Sequence, residues 1–354
     1  MAEVLGLGVT HYPPLSGTNE NLTRVFQRAL GDPLLPAEAR DPANWPAEAR
    51  AEWSSDEGAR AGRRHRDALV AQFARARKAL DEFNPDVVLI WGDDQYENFR
   101  EDLVPPYSVL AYEDLTVRPW EHSAASNVMG ERNVWNEPKE HEVLVRGHRE
   151  AARYFAGSLI EQDIDVSYAY QPLHHPGFAH AFLNTVLYLD YERKGFDYPV
   201  VAFPINCYGR RVISYQGNIS ALGDVRELDP PSPSPSRVMR MGAAVARAAA
   251  ESPWRVALIA SSSWSHSFLV ESTHHLFPDT AADRRLYQAL VDGDLDVWRS
   301  TGLAQAEAAG QQELLNWWAL LGAMGELGRP VPTWSEFVGS HLFVSDKVFA
   351  AYQP

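Results

Sequence analysis

Val4-Leu5-Gly6-Leu7-Gly8-Val9-Thr10-His11-Tyr12-Pro13-Pro14 is the stretch on which the fold turns. Val4, Leu5, Leu7 and Val9, spaced by glycines, suit a short buried strand. Pro13-Pro14 cannot continue a ladder, so the strand closes on Thr10-His11. In an open α/β sheet, ligands bind beyond the carboxyl ends of the strands. A histidine there can turn its ring into a shared crevice. Alone, His11 reads more simply as a strand cap bonded to a nearby carbonyl. Its meaning depends on what the other strand ends carry.

The rest of the chain repeats the pattern. Residues 64–83 have helical spacing, with Leu69, Phe73, Ala76 and Leu80 near one face, and Asn84-Pro85 stops them. Val87 to Trp91 is a continuous apolar run, as in a strand buried on both faces. It runs straight into Gly92-Asp93-Asp94-Gln95. Gly147-His148 opens a helix to about Glu161. A strand at 166–170 leads into His174-His175-Pro176-Gly177 and His180, and 181–189 is apolar and helical. The strand at 198–205 ends on Asn206 to Arg211. Ser236 reads as the N-cap of a helix at 237–250. The strand at 255–260 ends on Ser261-Ser262-Ser263-Trp264-Ser265-His266. Helices follow at about 281–299, 301–308 and 310–324, the last placing Glu313, Trp317 and Leu320 on one face. The alternation predicts one α/β domain over residues 1–354. Its architecture is a three-layer sandwich, a central mostly parallel mixed sheet with helices on both faces. Inserts at about 17–64 and 101–142 lie over the strand ends and cover the pocket.

Composition narrows the function. The 354 residues are 45% hydrophobic and 22% charged, with a net charge of -15. That charge argues against nucleic acid or an anionic membrane as the partner. No run of eighteen apolar residues occurs, so no membrane helix is expected. The single cysteine, Cys207, excludes thiolate clusters and fits a reducing cytoplasm, and no secretion signal is read at the N-terminus.

The polar strand ends are His11, Asp93-Asp94-Gln95, His174-His175 and Ser265-His266, with Glu313 an acid on an otherwise apolar stripe. A buried carboxylate is costly unless something positive meets it. A divalent metal meets that need, and histidine plus carboxylate with open positions suits non-haem Fe(II). With these pieces assembled, the chain resembles the class III extradiol ring-cleavage dioxygenases, the family of the protocatechuate 4,5-dioxygenase catalytic subunit. The resemblance runs from residue 4 to about 325. It rests on Thr10-His11-Tyr12-Pro13, Pro85 to Ile90 with its polar tail, Gly147-His148, His175-Pro176-Gly177, Ser265-His266 and Glu313-Leu314-Leu315-Asn316-Trp317.

The resemblance implies a mononuclear Fe(II) held by His11, the residue at position 95, and Glu313. The family has histidine at that second position, and this chain has Gln95. Three readings stay open: Gln95 binds through its oxygen, Asp94 takes the position, or the site holds metal weakly. The resemblance further implies His266 as the proton-transferring residue and His175 as its partner in the pocket. His174 or His180 could substitute at the substrate. Separately, Arg210 could hold a substrate carboxylate. The implied reaction opens a catechol or related hydroxylated aromatic acid with O2. The family works as homo-oligomers or with a small second subunit over the active site. The rivals are a metal enzyme of different chemistry, hydrolytic or a non-catechol oxygenase, and a metal-free binding protein on the same fold. The serine-rich turn before His266 replaces a glycine-rich one, which predicts bulk near the pocket.

Overall fold

The computed structural model describes residues 2–123 and 132–354, apart from the side chains of residues 122 and 123. The middle of the predicted 101–142 insert and the His122 side chain, read as merely polar, lie outside the described residues. The strands are Val4–Val9 (β1), Val87–Gly92 (β2), Ser108–Leu110 (β3), Leu115–Val117 (β4), Val143–Val145 (β5), Ser167–Ala169 (β6), Val200–Pro204 (β7), Val256–Ser261 (β8), Trp334–Val338 (β9) and Lys347–Tyr352 (β10). Among the described residues they form an eight-stranded sheet, ordered β6-β3-β7-β2-β8-β1-β10-β9, and a separate β4–β5 pair. β1, β8, β2 and β7 are consecutive neighbours and run parallel. β3 meets β7 antiparallel, and β10 and β9 close the other edge antiparallel. This is the mostly parallel mixed sheet expected.

Strand alternation divides the core into two layers. Leu5, Leu7, Val9, Val88 and Ile90 pack toward the helices Ala59–Phe83 and His180–Leu189. Val4, Val87, Leu89 and Trp91 pack toward Arg149–Glu161, Pro235–Glu251 and Leu315–Glu326. The glycines of β1 belong to this second face. A Cβ on Gly8 would lie 2.0 Å from the Trp317 ring, and one on Gly6 would lie 2.6 Å from Met324 Sδ. The helix therefore rests directly on the β1 backbone. Gly8→Val is expected to destabilise the fold by about 3 kcal/mol, the upper range for overpacking. An unchanged urea midpoint would contradict that packing.

Local chemistry corrects several boundaries. The helix expected at 281–299 breaks into Thr280–Asp292 and Leu295–Ser300. Gly293 has φ +69°, and the Asp294 carboxylate accepts the N–H groups of Asp296 and Val297, restarting the helix. Ser234 rather than Ser236 caps the Pro235–Glu251 helix, because Pro235 takes the first helical position. His148 caps the helix it opens, its ring accepting from the Ala151 N–H. The edge strand β9 and its neighbour β10 were not among the predicted elements.

β10 begins on a buried lysine. Lys347 Nζ donates to the Phe343 and Ser345 carbonyls and lies 3.8 Å from the Tyr12 ring centroid. Burial pushes it down from 10.5 to about 7. Between those values the unfolded chain binds a proton that the folded chain does not. Folding stability from this group is therefore complete above 10.5 and lost as pH falls to about 7. Relative to Lys347→Met, wild-type stability is expected to climb from about pH 7 towards pH 9 with a slope approaching one proton. A pH-independent difference in urea unfolding would contradict this.

Candidate active site

Because β1, β8, β2 and β7 are parallel neighbours, their carboxyl ends share one edge of the sheet. β1 delivers His11 there, β2 delivers Asp93 and Gln95, β8 delivers Ser263 and His266, and β7 delivers Tyr208. Glu313 arrives from a different element than expected. It sits in the 3-10 turn Gln312–Leu314, immediately before the Leu315–Glu326 helix, not on that helix's apolar stripe. His180 is the first residue of the His180–Leu189 helix.

His11 and Glu313, about three hundred positions apart, meet. His11 Nδ1 lies 3.1 Å from the Ser261 carbonyl, so it carries the proton and donates. That leaves the Nε2 lone pair facing Asp93 Oδ1 at 3.4 Å and Glu313 Oε2 at 3.5 Å. Both of those oxygens are buried and have no hydrogen-bond partner among the described residues. Their opposite oxygens are occupied. Gln95 Nε2 donates to Asp93 Oδ2 at 2.8 Å and to Glu313 Oε1 at 3.2 Å, and the Tyr208 hydroxyl donates to Glu313 Oε1 at 2.6 Å. His266 Nε2 stands 3.3 Å from the same Glu313 oxygen.

The electrostatics follow from burial. Burial, opposed by Asp93, holds His11 down at about 4. Burial, with His11 and Lys347 nearby, holds His266 down at about 3. Both rings are therefore neutral bases near pH 7. Burial and then the Asp93 charge lift Glu313 well above the usual carboxylate range. Burial opposes charge on His180, yet Glu97, Asp93 and Glu313 lift it to about 10. A nitrogen lone pair and two unpaired carboxylate oxygens converging in a dry place is a donor set for a divalent cation.

The site opens into a cavity of about 880 Å3. His11, Gln95, His175, His180, His266 and Glu313 all line it. Val25 and Arg28 contribute from residues 17–64, and Thr116 to Pro119, Glu121 and Glu142 from residues 101–142. Two predicted site residues are not brought there. His174 Nε2 pairs with Asp102 at 2.9 Å, partly exposed, and Arg210 pairs with Glu307 at 3.4 Å. Asp94 also turns away, since its carboxylate accepts the N–H groups of Glu97, Asn98 and Phe99 and shapes the loop. The acid that faces His11 is Asp93, which sequence reasoning passed over. Gln95 does reach the site, but it presents its amide nitrogen to the carboxylates. The bulk expected from the serine-rich turn goes elsewhere. Trp264 is fully buried against Trp298 and Trp317, and Ser263 faces the cavity. Glu97, Tyr208 and Arg28 were likewise not singled out, although each lay in a stretch already marked: the polar tail after Trp91, the strand end at 206–211 and the predicted covering insert.

Comparison with known proteins agrees with this geometry. The chain is similar to known aromatic ring-opening dioxygenases, in line with the resemblance that its motifs carry. Residues 227–350 match the family described as the catalytic LigB subunit of aromatic ring-opening dioxygenase. A 2,3-dihydroxyphenylpropionate/2,3-dihydroxicinnamic acid 1,2-dioxygenase from a Rhodococcus species is 24% identical over 307 residues, covering 74% of this chain and 83% of the relative. A protein of the same name from Paraburkholderia phymatum is 27% identical over 203 residues, covering 56% of this chain and 50% of the relative. No helix among the described residues is long and apolar enough to cross a membrane.

Proposed function

We propose that this chain is an Fe(II)-dependent extradiol-type dioxygenase that opens the ring of a catechol-bearing aromatic acid. The observation that carries the reading is the convergence of Asp93 Oδ1 and Glu313 Oε2, unpaired among the described residues, on His11 Nε2, at a cavity of about 880 Å3 that His11 and Glu313 line. Fe(II) bound there supplies a Lewis-acidic position at which a vicinal diol and O2 can meet. The surrounding residues do the rest. His266, neutral and buried at the cavity wall, accepts a proton from a diol hydroxyl and returns it as the ring opens. Tyr208 and Gln95 fix the orientation of Glu313 through its Oε1. The buried strand ends keep bulk water from the reacting atoms.

Arg28 gives the site a preference for acids. It is exposed, lines the cavity and has no partner among the described residues. Arg118, the other cavity arginine, is committed to Glu142 and Glu121. Arg28→Gln is therefore expected to raise KM for carboxylated catechols about tenfold while leaving neutral catechols unchanged. Equal effects on both substrates in steady-state kinetics would contradict that role.

The protein works in the cytoplasm as a homo-oligomer, with a small second subunit as the family's other arrangement. The function is tested by anaerobic Fe(II) loading followed by oxygen uptake across a panel of catechols. Uptake dependent on both iron and diol is expected, and none with any diol despite bound iron would overturn the ring-opening reading. One observation favours a second reading. Asp93 makes the donor set richer in oxygen than the family's, and oxygen ligands suit harder metals. Magnesium- or manganese-loaded, oxygen-independent turnover would select a hydrolytic enzyme instead.

A further inference from the structure

We propose that His180 supplies to the metal the imidazole that position 95 lacks, so that the centre is built from His11, His180 and the carboxylates of Asp93 and Glu313. The inference rests on reading this site as a metal centre. Gln95 cannot fill the position as it stands. Its amide nitrogen donates to Asp93 and Glu313, which makes it a clamp on two carboxylates rather than a ligand. His180 has the features of a ligand. Its Nδ1 donates to Glu97 Oε2 at 2.9 Å, and its main-chain N–H donates to Glu97 Oε1 at 2.8 Å. Both oxygens of one carboxylate thus fix the ring at the helix N-terminus. A metal-bound histidine characteristically donates its second N–H to a carboxylate in this way, leaving the other nitrogen for the ion.

The ring is also in the right place. It meets His11 edge to face with centroids 5.1 Å apart. Donor atoms of His11, Asp93 and His180 all lie within 4.8 Å of one another. Neither His266 nor Glu313 is part of that group; Glu313 joins it through His11 Nε2, 3.5 Å from its Oε2, and His175 Nδ1 is engaged by the Gly177 N–H. Glu97 comes from the same loop after β2 as Gln95. The loop that carries an amide at the family's ligand position also carries the carboxylate that aims a replacement from another element. Glu97 is then a positioning residue, acting through His180.

The test counts imidazoles on the ion without turnover. Full-length protein is loaded anaerobically with Fe(II), its affinity is read by chelator competition, and the ferrous nitrosyl form is examined by pulsed EPR for coordinated imidazole nitrogen. Two imidazoles are expected in the wild type and one in His180→Gln, whose affinity falls more than ~100-fold, since loss of an outer partner alone costs ~10–100-fold. Glu97→Gln should keep two imidazoles with affinity down ~10–100-fold. Adding Gln95→His to His180→Gln should restore the second imidazole and the affinity. One imidazole in the wild type, or undiminished affinity in a folded His180→Gln, overturns the inference. If His180→Gln does not fold, the wild-type count decides. Protein that binds no divalent metal overturns this inference together with the metal-centre reading. Protein that binds iron through two imidazoles but opens no diol upholds this inference and overturns only the proposed function.

Discussion

Glu313→Gln is expected to remove bound metal and ring opening together while leaving the metal-free fold intact or firmer. The substitution keeps the shape of the side chain, so Tyr208 and the packing of the turn before the Leu315–Glu326 helix are preserved. It removes the charge whose Oε2 faces His11 without a partner among the described residues. Metal affinity should fall more than ~100-fold, because even residues one step behind a ligand cost ~10–100-fold. Stability should move the other way. Burial and the neighbouring Asp93 already disfavour a charged Glu313, and a neutral amide does not suffer that penalty. Chelator competition and thermal unfolding of metal-free protein measure the two effects. Unchanged metal affinity would remove Glu313 from the centre.

His266→Gln is expected to separate chemistry from binding. His266 stands 3.3 Å from Glu313 Oε1, the oxygen that Tyr208 and Gln95 already occupy, and not from the Oε2 that faces His11. Held neutral by burial, it is a base at working pH. Its loss should lower kcat by ~10²–10⁴-fold, the usual contribution of a positioned proton-transfer group. Iron content and KM for the diol should change little. Lost iron with retained residual kcat would instead make His266 a ligand. The two variants therefore give opposite patterns: Glu313→Gln empties the centre, and His266→Gln leaves it filled and slow.

The fold and half of the site were legible for one physical reason. In a parallel sheet each strand must end in a polar turn at the same edge, so polar runs after Val9, Trp91 and Ala260 announced a common place. His11 and His266 were readable on that basis, and Glu313 because an acid among Leu314, Trp317 and Leu320 needs a partner. Direction was not legible. Asp93 and Asp94 are adjacent and chemically alike, and only the loop's N–H groups, claimed by Asp94, leave Asp93 for His11. His174, His175 and His180 follow one strand, yet Asp102, the Gly177 N–H and Glu97 send them to three different environments. Arg210 looked available because its partner, Glu307, is nearly a hundred residues away in the chain. Trp264 lay in a turn, where a large side chain reads as pocket wall. The room for it is made by Trp298 and Trp317, from elements no local pattern joins to β8.

The most direct measurement is a single turnover of Fe(II)-loaded protein with a carboxylated catechol under 18O2, followed by mass spectrometry of the product. A ring-opened product carrying both labelled atoms is the expected result. Labelled gas left unconsumed, and the diol recovered whole from protein with a full complement of iron, would contradict the account.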